Sequence, residues 1–268
     1  MVEDTMVSTV MRAAIGLLVV MGLLSSGVPA EAADYWGKHL SNRPTQFIFG
    51  YGSLINTPSR NSTAGKVTAA IPVRISAEFG YIRAWVARSS SGFTALGVRK
   101  PLDGEPAETI NGVLYPVDGT DMTPFDQREK GYVRVGVPLD LIEAVSWQPV
   151  PADIQVWIYV PVGSEGKPGE GLAPPSAAFP LLESYIDVVI DGALEFGAEY
   201  AREFVETTRD WSEFWLNDRE LARRPWIHDK NYSEEDRLLS AVSPAAERFK
   251  NRLFSEEFSA RYFAPRTP

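Results

Sequence analysis

The chain has no cysteine, which excludes disulfides, thiolate nucleophiles and cysteine-ligated zinc together. Histidine is scarce: His39 and His228 are the two among 268 residues, too few for a histidine-rich metal centre. A Ser-His-Asp arrangement would have to borrow one of them. Both stand outside the stretch that carries the motifs below, and each reads more simply as a surface or packing residue. Basic blocks are also missing. The net charge of −9 would repel a phosphate backbone, so no nucleic-acid partner is expected.

What is present is a globular composition. Hydrophobic residues make up 44%, enough for a substantial core, and the length allows one or two domains. Ala13 to Leu24 is an uncharged apolar run behind Arg12, broken by Ser25-Ser26-Gly27 and Val28-Pro29 and followed by Ala30-Glu31-Ala32. That is the layout of a secretory signal peptide over residues 1–33. It is short for a membrane span, which takes ~20 apolar residues. The expectation is an exported chain without membrane contact in its mature form; the rivals are a membrane anchor, an organelle transit segment or a cytoplasmic chain. Glu3 and Asp4 dissent by making the extreme N-terminus acidic, an objection that translation from Met6 or Met11 would remove.

The stretch with most chemistry in it is Phe47 to Ile55, Phe-Ile-Phe-Gly-Tyr-Gly-Ser-Leu-Ile. Three strand formers run into Gly50 and Gly52, where a chain can take φ > 0 or bring its backbone against a ligand. A strand ending in a loop of bare amides is a nest for a carboxylate or an oxyanion. Three familiar loops do not fit. Ile55 stands where a dinucleotide fingerprint needs its third glycine, a phosphate loop needs Gly-Lys-Ser/Thr, and Ser53 lacks the flanking glycines of a nucleophile elbow.

Strand patterns continue at Val67–Ser76 (with Pro72 suiting an edge or a bulge), Phe79–Ala87, Phe93–Arg99, Ile110–Val117, Tyr132–Pro138 and Ile154–Val160. Gly112 marks a bulge or a close approach of backbone to ligand. Asn56 to Lys66 reads as a loop or short capped turn. Thr123 as N-cap and Pro124 behind it open a short helix to Lys130, stopped by Gly131.

Phe-Gly-Tyr-Gly-Ser-Leu resembles the signature loop of the γ-glutamylcyclotransferase superfamily, ChaC-like and AIG2-like proteins among them. Arg128-Glu129-Lys130-Gly131-Tyr132 is similar to that family's second element, a glutamate followed shortly by Gly-Tyr. The resemblance covers about 46–162. It implies an α+β fold, a small mixed β-barrel or roll of about six strands with helices outside. It also implies a small γ-glutamyl substrate, 5-oxoproline as product, and no metal or cofactor. Carried over residue by residue, Glu129 is the acid and base, and Tyr51, Gly52, Ser53 and Leu54 hold the substrate. Tyr132 and Tyr115 are pocket hydroxyls by position. Without the loop, Arg-Glu-Lys would read as a solvated charge run. With it, Glu129 points inward, Arg128 and Lys130 lie outside, and an apolar wall raises the Glu129 pKa. Asp126 is the nearest competing acid. Arg83, on an alternating strand, pairs with a substrate carboxylate or lies across a sheet surface.

The expected domains are the catalytic region 44–163, a Gly/Pro-rich linker or lid at 164–178, and a helical C-terminal extension at 179–263. In the extension, Leu181, Leu182, Tyr185, Val188 and Val189 make a helical stripe, and Ala198–Thr207 is a second helix. Asp210 with Glu213 resembles a capping box, Trp211, Phe214 and Trp215 share a packing face, and Ser243-Pro244 opens a further helix. This tail is expected to pack on the barrel and narrow the pocket mouth. The readings left open are γ-glutamylcyclotransferase, γ-glutamylamine cyclotransferase, a γ-glutamyl-binding module without catalysis, and an exported carbohydrate hydrolase pairing Glu129 with a second carboxylate.

Overall fold

The computed structural model describes residues 43–117, 122–221 and 232–264, all within the unit Ala33–Pro268. The signal-peptide layout at 1–33, His39 and His228 lie outside the described residues. The first half holds β1 (Gln46–Gly50), α1 (Thr57–Ala64), β2 (Ile71–Ile75), β3 (Ile82–Arg88), β4 (Thr94–Arg99), β5 (Ile110–Val117), α2 (Thr123–Arg128), β6 (Tyr132–Val137), β7 (Ile142–Ala144) and β8 (Gln155–Pro161). The second half holds β9 (Leu181–Leu182), α3 (Glu183–Leu194), α4 (Ala198–Glu206), β10 (Thr208–Arg209), β11 (Trp215–Asn217), α5 (Tyr232–Ala241), α6 (Ala246–Phe249), β12 (Leu253–Phe254) and α7 (Ser255–Tyr262).

The class is α+β. The main sheet runs β6-β8-β1-β5-β2-β7, and two three-stranded sheets, β10-β3-β4 and β12-β11-β9, accompany it. β1 lies inside the main sheet, antiparallel to β5 with Ile48 opposite Tyr115 and parallel to β8 with Ile48 opposite Trp157. Phe47, Ile48 and Phe49 are fully buried, as a strand covered on both faces requires. The anticipated closed barrel does not form among the described residues. β7 contributes three residues, β6 keeps a partly exposed edge, and the two do not pair.

Other expectations shift for local reasons. Pro72 lies on an inner strand, but β7 pairs with Val73 to Ile75 and its ladder stops at the proline. Gly112 makes no bulge; it gives room to backbone rather than to a ligand, since a Cβ there would lie 2.5 Å from the Gly50 carbonyl oxygen. Asn56 to Lys66 contains the helix α1, capped by the Asn56 side chain accepting from Ser59 N–H at 3.0 Å. That helix buries Arg60 instead of an apolar stripe. The guanidinium donates to the carbonyls of Leu54, Ile55 and Thr68 and so fixes the chain behind the glycine loop.

The segment 164–178 is tied to the β3–β4 sheet: Lys100 N–H donates to the Gly169 carbonyl at 3.0 Å, and Arg88 Nη2 to that of Pro174 at 2.6 Å. In the tail Leu181 and Leu182 form β9, paired with β11, before α3 begins. The Asp210–Glu213 box caps no helix, because Asp210 takes φ +64 and its carboxylate accepts from Arg99 Nε at 2.8 Å. Trp211 and Trp215 stack at 5.2 Å, and Trp211 meets Trp85 at 5.1 Å, so these rings fasten tail to sheet. Among the described residues no helix is long and apolar enough to cross a membrane.

Candidate active site

β1 delivers the loop. Gly50 still lies in the ladder opposite Val113, and the chain then turns, with Ile55 N–H donating to the Gly52 carbonyl at 2.9 Å. Neither glycine takes a left-handed φ; Gly50 is closely packed instead, while Gly52 has room for a methyl group. A Cβ on Gly50 would stand 3.1 Å from the Tyr115 ring and 3.2 Å from Leu54 Cβ, and one on Gly52 would stand 3.5 Å from the Tyr185 hydroxyl. The amides of Gly52, Ser53 and Leu54 donate no hydrogen bond within the described residues. Three consecutive amides without acceptors among the described residues are the donor type that an anion-binding loop uses.

Glu129 comes from the opposite wall. α2 ends where Glu129 leaves helical space at φ −89 and ψ 41, its N–H still donating to the Phe125 carbonyl at 2.8 Å. Gly131 at φ +91 and the bond from Tyr132 N–H to the Glu129 carbonyl, 3.0 Å, complete the turn into β6. The Glu129 side chain is left 16% exposed. Burial raises its pKa above the ordinary carboxylate value, and Arg128 pulls it part of the way back.

Arg128 stays exposed as expected, but its guanidinium reaches back to the loop. Because the helix unwinds at Glu129, the two side chains share one side of the chain. Arg128 Nε donates to Glu129 Oε1 at 3.1 Å, Nη2 to Ser53 Oγ at 2.7 Å, and Nη1 to Thr63 Oγ1 of α1. Lys130 remains exposed.

Between loop and glutamate lies a cleft of about 390 Å³, open solvent included. Tyr51, Gly52, Ser53, Leu54, Glu129 and Tyr132 border it, together with Leu96, Tyr159 of β8 and Tyr185 of α3. Glu129 is the one carboxyl among the described residues that line it. The tyrosines are committed elsewhere: Tyr51 donates to the Tyr159 carbonyl at 2.6 Å, Tyr132 to that of Leu96 at 3.2 Å, and Tyr159 to Asp126 Oδ1 at 2.7 Å. Burial pushes the phenols of Tyr51, Tyr132, Tyr159 and Tyr185 upward, so they stay protonated at neutral pH. Glu129 is the remaining titratable side chain among the described residues that border the cleft. No cluster of side chains suited to a metal occurs among the described residues.

Two expected residues stand apart. Arg83 is fully buried away from the cleft: Nε donates to Thr208 Oγ1 at 2.8 Å, Nη1 to the Asn111 carbonyl at 2.6 Å, and Nη2 to Asn111, Phe204 and Thr207. It ties β3 to β5, β10 and α4, and has its acceptors within the protein. Tyr115 is packed behind Gly50, with its hydroxyl buried and unpaired. Tyr159, Tyr185, Leu96 and Arg128 were not legible as site residues; an aromatic or aliphatic residue on a regular element reads as core, and Arg128 reads as solvated.

No family model matches the chain, and no curated protein matches it. Among solved structures, one named gamma-glutamyl cyclotransferase matches 72% of this chain and 96% of its own, at 16% identity and a TM-score of 0.42. An uncharacterized protein from Homo sapiens matches 68% and 95%, at 16% identity and a TM-score of 0.43. A yeast gamma-glutamyl cyclotransferase described as specific to glutathione matches 75% and 98%, at 14% identity and a TM-score of 0.30. At scores this low the likenesses carry no further weight. The chain resembles the γ-glutamylcyclotransferase superfamily in the Tyr51–Leu54 loop and the Arg128–Tyr132 segment, which line the same cleft.

Proposed function

We propose that the chain is a γ-glutamylcyclotransferase, releasing 5-oxoproline from a small γ-glutamyl compound. One observation carries this reading: a loop with three unbonded amides and a single, partly dehydrated glutamate border one cleft. The amides of Gly52, Ser53 and Leu54 receive the substrate's α-carboxylate or the oxygen of its γ-carbonyl. Glu129, ionised, takes a proton from the α-ammonium. The freed amine attacks the γ-carbonyl carbon and closes the five-membered ring. The bond from that carbon to the leaving nitrogen then breaks as Glu129 returns the proton to that nitrogen, and the second proton of the ring nitrogen passes to the departing amine, which leaves as an ammonium.

Ring closure needs no second substrate, an advantage reaching ~10⁵ M or more in effective molarity. Burial raises the pKa of Glu129, bringing the carboxyl closer to both proton steps. Arg128 keeps it from rising further while bracing Ser53 of the opposing loop. The helical tail, on this reading, is an addition that sets Tyr185 against the glycine loop. A hydrolase with paired carboxylates gains no support, since Asp126 lies outside the cleft and is held by Tyr159 and by Arg134 at 3.2 Å.

The test is 5-oxoproline release from a panel of γ-glutamyl peptides and amines, wild type beside Glu129→Gln. Release by wild type and its loss in the variant are expected. Binding without release would identify a module of the same fold that does not catalyse, and equal turnover by both would remove Glu129 from its role.

A further inference from the structure

A second cavity meets the cleft at Glu129. This outer groove, about 850 Å³ and open to solvent, shares Glu129, Tyr132 and Tyr159 with the cleft and adds Asp126, Val133, Arg134 and Trp157. Its floor is the antiparallel pair β6–β8, where Arg134 lies opposite Tyr159 and Gly136 opposite Trp157. Alternation therefore puts Tyr132, Arg134, Trp157 and Tyr159 on one face of the sheet. Gly136 leaves the indole uncovered, since a Cβ there would approach Gln155 Nε2 to 3.3 Å and the Trp157 ring to 3.9 Å. The indole is held in place by Nε1 donating to Gln46 Oε1 at 2.7 Å.

The charges of the groove are not equivalent. Asp126 already accepts from the Tyr159 hydroxyl at 2.7 Å and faces Arg134 Nε at 3.2 Å, so its charge is used within the protein. Arg134 engages Asp126 through Nε, lies with its guanidinium carbon 5.6 Å from the Trp157 ring centre, and keeps a side chain 37% exposed. Its two terminal nitrogens make no hydrogen bond within the described residues. A guanidinium beside an aromatic plane matches a ligand with an apolar body and a carboxylate.

We infer that this groove reads the leaving group, with Arg134 and Trp157 as specificity-determining residues that favour an amino acid carrying a large apolar side chain and a free carboxylate. This rests on the proposed reaction. With the γ-glutamyl part in the cleft and the scissile bond at Glu129, the leaving amine departs past Tyr132 and Tyr159 into the groove. A simple amine brings no carboxylate to Arg134, and a glycine brings nothing to Trp157.

The experiment uses the full chain and three substrates: γ-glutamylphenylalanine, its C-terminal amide and γ-glutamylglycine. The expected kcat/KM for the phenylalanine acid exceeds that for its amide by roughly tenfold, the scale of one charge-assisted contact at a partly exposed site. In Arg134→Met the ratio falls towards one, and Arg134→Lys, which keeps the charge without the fork, retains part of it. Trp157→Leu erodes the preference for phenylalanine over glycine. Equal use of acid and amide by wild type, or an unchanged ratio in Arg134→Met, overturns the inference. If no substrate releases 5-oxoproline, the reaction fails and the groove is judged by calorimetry on Glu129→Gln. Tighter binding of the acid than of the amide upholds it there, and equal or absent binding overturns it.

Discussion

Glu129 is largely and Glu183 fully buried, and burial raises both pKa values, Glu183 to about 8. Their surroundings differ in kind. Glu129 meets one arginine and borders an open cleft that it shares with the loop of unbonded amides. Glu183, at the start of α3, is fully buried, with Arg219 Nη2 at 3.3 Å, Arg252 Nε at 3.5 Å and no hydrogen bond to either oxygen. Asp187 and Glu235 crowd the same arginine, and burial raises them as well. None of the main cavities among the described residues reaches these three acids. A carboxyl that holds its proton is thus no sign of catalysis by itself. Glu129 borders a cleft that the glycine loop also lines, whereas Glu183 belongs to a clasp between α3, α5 and the turn at Arg219.

The largest effect that tests this contrast is on turnover. Glu129→Gln should lower kcat by ~10²–10⁴-fold, the usual contribution of a positioned acid and base. Its melting temperature should barely move, because amide and carboxyl fill the same space. Glu183→Gln should leave kcat within twofold of wild type, read as 5-oxoproline release side by side. A large loss in Glu183→Gln with an intact fold would erase the distinction.

Next in size is damage to the cleft that spares its carboxyl. Gly112→Ala would place a Cβ 2.5 Å from both the Gly50 carbonyl oxygen and the Phe49 ring. Backbone must move, so a loss of ~1–3 kcal/mol of stability is expected, measured by denaturant unfolding. Activity should fall with it, since the displaced residues carry the loop. Gly52→Ala meets ordinary contacts at 3.5 Å and should fold normally, while its methyl group faces the Tyr185 hydroxyl.

How much of this was legible follows the same division. β1 and β5 could be read because their apolar runs are continuous, and Phe47 to Phe49 are buried as such a run demands. Glu129 was legible through a motif, not through periodicity, because the chain leaves the helix at that residue. For the same reason a helical wheel misplaces Arg128. α1 was missed because it buries Arg60 on backbone carbonyls, which leaves no apolar stripe. Tyr185 was hidden in a stripe that is mostly core. Asp210 and Glu213 have the spacing of a capping box, but a positive φ and the pull of Arg99 turn the aspartate elsewhere.

The clasp should be visible in stability against pH. A carboxyl whose folded pKa is raised stabilises the fold fully below its unfolded value and loses that contribution as pH rises through the folded one. For Glu183 the window runs from about 4.5 to about 8. The wild-type melting temperature should therefore fall across that range more than in Glu183→Gln, which carries no such proton. The expected gain of the variant at pH 9 is on the order of 1–2 kcal/mol, the scale of one buried carboxylate relieved of its charge while two arginines keep Asp187 and Asp236. Parallel melting profiles from pH 4 to 9 would show that the proton on Glu183 plays no part in stability.

The smallest effect is the one that probes Glu129 most directly. Arg128 lowers the Glu129 pKa against the larger opposing effect of burial. Arg128→Met removes the charge, so the carboxyl should rise further. Glu129 has to be ionised to accept the ammonium proton, and the acid limb of kcat/KM against pH should move to higher pH. The same variant loses the bonds to Ser53 and Thr63, so kcat should also fall at every pH. The two consequences separate cleanly: loop loosening scales the whole profile, whereas a lost charge slides one limb. An acid limb that stays in place, or that moves to lower pH, would mean that a group other than Glu129 accepts the proton.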